Sequence, residues 1–229
     1  MRSKARLQAD YDEIGASYDK VRFGTAGGRY ADQVEKELLW SVFEGNNALE
    51  IGTATGRFAV FLTKIGIDYT GIDLSQTMLR VTAKRARSPT AKLSLLQMDA
   101  EHIGLRSSFD CVLCIRTFHF LPHPLQALRS MNSALRTGGR CLVTFETDNP
   151  LRRISLNFGR TRSEQRYYHR KEVVAIFGVC GFRVLESGAV LRLPVTLYRY
   201  APKRIMFLLK RLDSLWPWSM HEYVLGEKK

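Results

Sequence analysis

The run Leu49-Glu-Ile-Gly-Thr-Ala-Thr-Gly-Arg-Phe58 joins an apolar stretch to a cluster of small residues. This order is typical of a first parallel strand that passes through a glycine turn into a helix, and such a turn lets the backbone approach a ligand at the carboxyl end of the strand. The small residues stand at 52, 54 and 56, one residue closer together than in the dinucleotide-binding pattern. Glu50 would repel a pyrophosphate, whereas it suits a ligand with an ammonium group. A plain strand-to-helix connection is the alternative explanation.

Apolar runs alternate with helical patterns along the central part of the chain. The apolar runs predict strands at 47–51, 67–72, 93–98, 109–115 and 140–145. The helical patterns predict helices over 57–65, over 75–87 with Ser75 as the cap, and from Pro124 to the glycines at 138 and 139. This alternation favours a parallel sheet covered by helices on both faces. Beyond residue 146 we expect a helix near 170–180, a strand over 182–190, a helix over 202–216 and a strand over 222–225.

The composition is that of an ordinary globular chain. Of its 229 residues 45% are apolar, and 12 Phe, 9 Tyr and 3 Trp can build a sizeable core. No apolar run approaches the roughly 18 residues that span a bilayer. The N-terminus lacks the apolar stretch of a signal peptide, and four cysteines do not make a disulfide scaffold. These features favour a cytoplasmic protein.

The positive charge lies mainly in one segment. The chain has a net charge of +13, and residues 151–211 hold 14 Lys/Arg against 3 Asp/Glu. Residues 1–150 are nearly neutral, with 19 Lys/Arg against 16 Asp/Glu. The basic segment therefore faces an anionic partner or is a solvated surface.

Carboxylates follow the next two predicted strands. Asp73 ends the second strand, about 20 residues beyond the glycines, where a carboxylate can accept both hydroxyls of a ribose. Asp99 ends the third strand, within reach of an adenine amino group. Each of them alone could be a helix cap, but acids at three successive strand ends favour a nucleoside-binding site.

Residues 47–146 resemble the core of the class I S-adenosylmethionine-dependent methyltransferases, especially the branch that includes the ubiquinone and menaquinone C-methyltransferases. The resemblance is specific for the cofactor and unspecific for the acceptor. The matching segments are Glu50-Ile-Gly-Thr-Ala-Thr-Gly56, Gly71-Ile-Asp73-Leu-Ser, Asp99-Ala100-Glu101, Ser108-Phe-Asp110, His119-Phe-Leu-Pro-His-Pro124 and Leu135-Arg-Thr-Gly-Gly-Arg140. Ala54 departs from the family's usual glycine, which is tolerable if its φ stays negative.

The resemblance implies a Rossmann-like, doubly wound α/β fold with a mostly parallel seven-stranded sheet. It implies one domain over 1–229, with N-terminal cap helices in 1–45, a cofactor-binding core in 46–146, and a C-terminal part in 147–229 that carries a basic, amphipathic insertion at about 191–220. It also implies S-adenosyl-L-methionine as the cofactor and S-adenosyl-L-homocysteine as its product. The residues expected to bind the cofactor are Tyr11, Tyr18, Glu50, Gly52, Thr53, Ala54, Gly56, Asp73, Leu74, Asp99, Ala100 and Arg116.

Within this set, Glu50 and the turn at 52–56 would hold the methionine moiety, Asp73 the ribose, and Asp99 with Ala100 the adenine. The segment Tyr11-Asp-Glu-Ile-Gly-Ala-Ser-Tyr18 resembles the family's cap over the cofactor. The alternative is that the two tyrosines only pack on the core. Arg116 is expected at the cofactor or the acceptor, with a surface salt bridge as the alternative.

The resemblance predicts an enzyme that methylates a small, apolar or amphiphilic acceptor at O, N or C. Methyl transfer from a sulfonium needs chiefly the positioning of donor and acceptor, and a base only if the acceptor must lose a proton. His119 is the candidate base, and a hydrogen-bonded structural histidine is its alternative. A non-catalytic binding protein, either a sensor or a partner subunit, is the second hypothesis. The sequence leaves the oligomeric state open.

The pattern of Cys111, Cys114, His119 and His123 mimics a set of zinc ligands. Cys111 and Cys114 fall on a predicted strand, where residues three apart point to opposite faces, and the spacing to His119 is far too short for a zinc-finger loop. We therefore expect no metal site.

The segment 202–216 carries an amphipathic pattern. Its apolar positions are Ile205, Leu208, Leu209, Leu212, Leu215 and Trp216, and its basic positions are Lys203, Arg204, Lys210 and Arg211. Such a pattern is typical of helices at anionic membrane surfaces, and a lid over the sheet edge is the alternative. Nucleic acid is the third and least favoured partner, through Arg152, Arg153, Arg160, Arg162, Arg166 and Arg170 with Tyr167 and Tyr168.

Overall fold

The computed structural model describes residues 3–106, 108–150, 165–194, 197, 198, 201 and 203–229. Arg152, Arg153, Arg160 and Arg162, which the sequence offers to an anionic partner, lie outside the described residues. Among the described residues, no helix has both the length and the apolar content that a membrane span requires.

Seven strands form one sheet in the order β3-β2-β1-β4-β5-β7-β6. The strands are β1 (Asn47–Ile51), β2 (Asp68–Asp73), β3 (Leu93–Gln97), β4 (Phe109–Cys114), β5 (Leu135–Glu146), β6 (Phe182–Leu191) and β7 (His221–Lys228). The first five pair in parallel, and β7 pairs antiparallel with both β5 and β6. The predicted Rossmann-like, mostly parallel seven-stranded fold is confirmed.

Eight helices accompany the sheet within the described residues. They are α1 (Lys4–Ile14), α2 (Tyr18–Phe23), α3 (Ala26–Val42), α4 (Arg57–Lys64), α5 (Gln76–Arg85), α6 (Pro124–Ala134), α7 (Arg170–Val179) and α8 (Lys203–Leu215). Ser75 caps α5 as predicted, because its hydroxyl accepts a hydrogen bond from the Met78 backbone N–H at 3.1 Å. Pro124 opens α6 in the first turn, where its missing N–H costs nothing.

The predicted end of α6 is wrong. The helix stops at Ala134 rather than at the glycines 138 and 139, and Leu135 is already extended. Leu135 is fully buried and pairs with Phe109 of β4, so tertiary packing draws the chain into β5 before the glycines are reached. Gly138, with a φ of 75°, instead lies within β5.

The sheet is covered on both faces because its central strands are apolar on both sides. In β4, Val112 and Cys114 pack in the cluster with residues of α6 and α7. Cys111 and Leu113 pack in the opposite cluster with residues of α3 and α4. This alternation confirms that Cys111 and Cys114 point to opposite faces, so the zinc-like pattern does not converge. In the part of the chain that is described, no group of three or more His, Cys, Asp or Glu can hold a metal.

A tight turn can join two antiparallel strands, but β6 and β7 are joined by a long connection. It leaves β6 at Leu191 and enters β7 at His221, and these two residues pair with each other. His221 also pairs with Glu146, the last residue of β5. The connection, residues 192–220, therefore leaves and rejoins the sheet at the edge where β5 and the other parallel strands have their carboxyl ends, and its described part includes α8.

Asp213 fastens α8 to this edge. It is 8% exposed, and its Oδ1 accepts hydrogen bonds from the backbone N–H groups of Arg192 and Leu193, at 3.0 and 2.7 Å, and from the Tyr198 hydroxyl at 2.9 Å. The guanidinium of Arg192 donates in turn to the Trp216 carbonyl at 3.0 Å. One carboxylate thus ties the start of the connection to the end of its helix.

Replacing Asp213 by Ala removes the acceptor of three donors, two of which stay buried. We expect Asp213→Ala to lower the free energy of unfolding by about 2 kcal/mol or more, measured by urea titration with Trp fluorescence. Asp213→Asn keeps one acceptor oxygen and should lose less. An Ala variant that unfolds at the wild-type urea concentration would show that Asp213 does not hold α8.

Candidate functional site

A pocket of about 1020 Å³, its open mouth included, lies at the carboxyl edge of the sheet. Eleven of the twelve residues expected to bind the cofactor line it. They are Tyr11, Tyr18, Glu50, Gly52, Thr53, Ala54, Asp73, Leu74, Asp99, Ala100 and Arg116. Their convergence follows from the parallel pairing of β1 with β2 and of β2 with β3, which brings three strand ends side by side.

The glycine turn is hydrogen-bonded to the end of β2. The backbone N–H groups of Gly52 and Thr53 both donate to the Ile72 carbonyl, at 2.8 and 3.1 Å. Gly52 has a φ of 72°, and a Cβ there would lie 2.3 Å from Oγ1 of Thr117. A side chain at this position would thus strain the backbone and displace Thr117, which also lines the pocket.

Gly56 does not line the pocket, unlike the other expected residues of the turn. Its φ is 74°, and a Cβ would lie 2.5 Å from Cγ2 of Thr82 in α5. The glycine is therefore required by the close packing of the turn on α5. Gly56 therefore affects the site through the shape of the turn and not by lining the pocket.

Ala54 has a φ of 45°, so the expectation of a negative φ is wrong. The left-handed conformation is held from both sides. The Ala54 backbone N–H donates to Oδ2 of Asp73 at 2.9 Å, and the Ala54 carbonyl accepts from the Thr82 hydroxyl at 2.8 Å. These hydrogen bonds impose on alanine the geometry that glycine adopts freely.

Asp73 braces the turn while facing the pocket. Its Oδ2 accepts from Ala54, and its Oδ1 accepts from the Ser75 backbone N–H at 2.9 Å. Burial raises the pKa of the Asp73 carboxyl above its ordinary value, against the effect of these N–H donors. Each carboxylate oxygen has a second lone pair, so both remain able to accept a hydroxyl of a ligand.

Glu50 is a buried acid in the wall of the pocket. It is 3% exposed, and the Tyr69 hydroxyl and the Thr53 hydroxyl both donate to its Oε2. Burial raises the pKa of Glu50 to about 8, although these donors and Arg57 favour the charged form. Within the described residues no hydrogen bond reaches Oε1, which is left for a ligand. An ammonium group bound there would favour the ionised form of Glu50 and so lower its pKa.

The side chain of Asp99 forms an ion pair with a residue of the first helix. Lys4 of α1 pairs with Asp99 at 2.6 Å and also with Glu101. Burial alone would raise the pKa of Asp99, but Lys4 and the Glu101 backbone N–H lower it below the ordinary value. Lys4 also lines the pocket. Its place in the site is not predictable from the sequence, since a lone lysine near a terminus gives no signal.

The segment from α1 to α2 covers the pocket through polar contacts. Asp12 accepts hydrogen bonds from the Ser75 hydroxyl and the Thr77 backbone N–H, at 2.5 and 3.2 Å. No residue of α1 is buried. Tyr11 lies 6.0 Å from Tyr18 and 6.2 Å from Phe120, between ring centroids, and all three line the pocket. The two tyrosines therefore pack on aromatic neighbours and face the pocket at the same time.

Arg116 belongs to a buried ion-pair network, not to a surface salt bridge. Its Nε donates to Glu35, and the side chains of Arg116 and Glu35 are only 11% and 2% exposed. Arg57 joins Glu35 and Asp32 at 2.7 Å each. The two guanidinium groups keep the pKa of Glu35 below its ordinary value despite burial.

Glu35 and Arg57 were missed in the sequence, although a signal existed. Glu35 shares the buried face of α3 with Ala31, Leu39 and Val42. An acid at a core position of an amphipathic helix indicates a buried cationic partner. Arg57, in the first turn of α4, is that partner, and it lines the pocket.

His119 does not line the pocket. Its side chain is fully buried, its ring lies 4.3 Å from that of Phe120, and its Nε2 stands 4.0 Å from Oε1 of Glu146. Phe120, which does line the pocket, is its neighbour in the chain. This geometry favours the structural alternative for His119 over the role of base.

Comparisons with known proteins agree with this geometry. Residues 49–143 match the family described as Methyltransferase domain. The chain is 29% identical over 156 residues to the ubiquinone/menaquinone biosynthesis C-methyltransferase of Pseudomonas entomophila, covering 61% of this chain and 58% of that protein. It is 29% identical over 108 residues to the ubiquinone biosynthesis O-methyltransferase of Aeromonas salmonicida, covering 46% and 45%. The chain thus spans about half the length of the curated relatives it matches.

A solved structure has the same fold along almost the whole chain. The S-adenosylmethionine-dependent methyltransferase of Thermotoga maritima gives a TM-score of 0.72 at 21% identity, with 97% of this chain and 100% of that chain covered. The likeness extends the comparison of folds beyond residues 49–143, to the helices before β1 and the strands after β5.

The raised pKa of Glu50 has a consequence for stability without ligand. The folded protein holds this proton up to about pH 8, whereas the unfolded chain, with the ordinary value of 4.5, releases it earlier. Wild-type stability should therefore fall as pH rises from about 4.5 to 8. Glu50→Gln removes this loss, so the variant should match the wild type near pH 5 and exceed it at pH 8.5 in urea unfolding. Equal stabilities at both pH values would contradict the raised pKa.

Proposed function

We propose that this chain is a class I S-adenosylmethionine-dependent methyltransferase, as the match of residues 49–143 and the relatives from the ubiquinone/menaquinone branch suggest, and that it transfers a methyl group from S-adenosylmethionine to a small, apolar or amphiphilic acceptor. The observation that carries the proposal is the meeting of Glu50, Asp73 and Asp99 in one pocket at three adjacent strand ends. The strand order β1, β2, β3 puts these three acids in the order in which S-adenosylmethionine presents its ammonium group, ribose and adenine.

The residues present fit this cofactor. Glu50 offers a buried carboxylate with one oxygen open, and Asp73 offers two oxygens whose remaining lone pairs suit ribose hydroxyls. Asp99 and Ala100 line the pocket at the end of β3, where the adenine would lie. When bound, S-adenosylmethionine supplies an electrophilic methyl group. The protein has to orient it, exclude water and place the acceptor opposite.

The pocket has an apolar and aromatic wall, which we assign to the acceptor as well as to the cofactor. Tyr11, Tyr18 and Phe120 form one wall, and Leu7 and Leu121 also line the pocket. Offset and edge contacts with such rings suit a planar, apolar molecule. The two relatives from Pseudomonas entomophila and Aeromonas salmonicida are named for ubiquinone or menaquinone biosynthesis. We take a quinone-related ring as the acceptor class, methylated at O or C.

Arg116 is the polar group that can act on such an acceptor. Its Nη2 is buried and has no hydrogen-bond partner among the described residues, while Glu35 fixes its Nε. We infer that a shift of this side chain on ligand binding would let the N–H donate to an oxygen of the acceptor or of the cofactor. Donation to a phenolic oxygen would favour its ionised form and reduce the need for a base, which accords with the position of His119 outside the pocket.

A non-catalytic binding protein is the competing function. A sensor or partner subunit would need the same pocket for the cofactor, so cofactor binding does not separate it from an enzyme, whereas a methylated product does.

We place the protein in the cytoplasm, peripheral to the membrane, and rank nucleic acid below a small molecule as acceptor.

Asp73→Ala should weaken S-adenosylmethionine binding by about 1–3 kcal/mol, since charge-assisted hydrogen bonds to the ribose disappear. The measurement is calorimetry at pH 7.5, with circular dichroism to establish that the variant is folded, because Asp73 also braces the turn. Asp68→Ala is the matched control. Asp68 begins the same strand at its other end and should leave affinity unchanged. Wild-type affinity in folded Asp73→Ala would remove Asp73 from the site.

The acceptor is identified with methyl-labelled cofactor, the wild-type protein and a lipid extract that contains phenolic quinone precursors. We expect label in the apolar fraction with the wild type and little with Asp73→Ala. Cofactor binding without any labelled product, in this extract or in a whole-cell lysate, would support the non-catalytic function instead.

A further inference from the structure

Helix α8 turns an apolar stripe toward solvent. Ile205, Leu208, Leu212 and Leu215 are 46%, 54%, 42% and 74% exposed. Their spacing of three and four residues places them on one face of the helix. Among the described residues, six of the fourteen exposed large apolar side chains lie between 197 and 218, since Leu197 and Trp218 belong to the same connection. The exposure is thus concentrated on one part of the surface.

The stripe is not the face by which α8 packs on the protein. The helix is fastened through Asp213, which is buried, and Leu209 is half-buried beside it. Lys210 lies over the ring of Tyr30 in α3, 5.0 Å from its centroid. A lid would bury its apolar residues against the sheet edge. In α8 Asp213 and Leu209 face the protein, whereas Leu208, Leu212 and Leu215 face outward.

The charge around the stripe indicates what covers it. Arg211 is exposed next to the stripe, and the sequence of α8 itself carries four Lys/Arg against one Asp/Glu. An apolar stripe on a basic segment suits an anionic lipid surface, where leucines enter the headgroup boundary and cations meet phosphates. A second copy of this chain fits poorly, because the contact would bring two strongly basic segments together.

The position of α8 relates this surface to the pocket. The connection 192–220 leaves and rejoins the sheet beside Glu146, at the carboxyl edge that carries the pocket. α8 also rests on α3 through Tyr30, one and a half turns before Glu35, which holds Arg116 in the pocket wall. The helix that carries the stripe therefore stands at the edge of the sheet that carries the pocket.

We propose that α8 docks the protein on an anionic lipid bilayer through Ile205, Leu208, Leu212 and Leu215, with the carboxyl edge of the sheet toward the lipid. An amphiphilic acceptor can then reach the pocket from the bilayer without complete transfer to water. The docking stands on the exposed stripe and the charge, and only the statement about the acceptor rests on the proposed function.

The test is sedimentation of the full chain with vesicles of one part phosphatidylglycerol to two parts phosphatidylcholine, and with phosphatidylcholine alone. We expect the wild type to sediment with the anionic vesicles at low salt and hardly at all with the neutral ones. Leu208→Gln, Leu212→Gln and Leu215→Gln together should lower the partition at least about tenfold, because the buried apolar area is lost. Lys210→Gln with Arg211→Gln should lower it severalfold at low salt and have no effect at high salt, where charge is screened.

Matched controls separate the stripe from general surface changes. Val179→Gln, Leu185→Gln and Leu96→Gln replace three exposed apolar residues outside the connection, and Lys64→Gln with Lys84→Gln removes two exposed cations from α4 and α5. These variants should sediment like the wild type. Controls that lose as much as the stripe variant would overturn the proposal. So would a wild type that ignores anionic vesicles at low salt, or light scattering that shows a dimer which the stripe variant dissociates.

S-adenosylmethionine binding, measured by calorimetry on the same proteins, separates docking from function. The stripe variant should retain wild-type affinity, because none of its substituted residues lines the pocket. Loss of cofactor affinity together with vesicle binding would show that the variant is misfolded. In that case Leu215→Gln alone, at the most exposed position, has to reduce sedimentation or the proposal fails. A wild type that binds vesicles but neither binds S-adenosylmethionine nor yields product would overturn the proposed function and leave the docking in place.

Discussion

The carboxylate of Asp73, at the end of β2, accepts hydrogen bonds from two loops, and the geometry of the site depends on these bonds. One oxygen accepts from Ala54, in the turn after β1, and the other from Ser75, the cap of α5. The Ile72 carbonyl holds the same turn through Gly52 and Thr53. The pocket lies beside this turn, and Glu50 of β1 and Asp73 of β2 both line it. A residue expected to bind ribose thus also shapes the place where the ammonium group would sit.

The features that the sequence predicts well are those that follow from local pattern and from the rules of parallel sheets. Glu50, Asp73 and Asp99 converge because parallel strands put their carboxyl ends at one edge, so three sequence positions define one site. Ser75 caps its helix because the hydroxyl and the helix start are neighbours in the chain. The opposite directions of Cys111 and Cys114 follow from strand alternation alone.

The features that the sequence analysis misses depend on contacts between distant residues. Ala54 takes a positive φ because Asp73 and Thr82 hold it there, which the propensity of alanine does not predict. The helix from Pro124 ends before its glycines because Leu135 pairs with β4. Arg116 finds its partner on α3, far away in the chain. The periodicity of α8 predicts an apolar stripe, but the burial of Asp213 shows that this stripe faces solvent.

In the proposed site, the ammonium group of S-adenosylmethionine lies against the buried carboxyl of Glu50. Calorimetry at pH 7 in two buffers of different ionisation enthalpy measures this contact, because it counts the protons exchanged on binding. With a Glu50 pKa of about 8 in the free protein, binding of the cation should release most of one proton per site from the wild type and none from Glu50→Gln. No binding, or the same proton exchange in both proteins, would show that the ammonium group does not meet the carboxyl of Glu50.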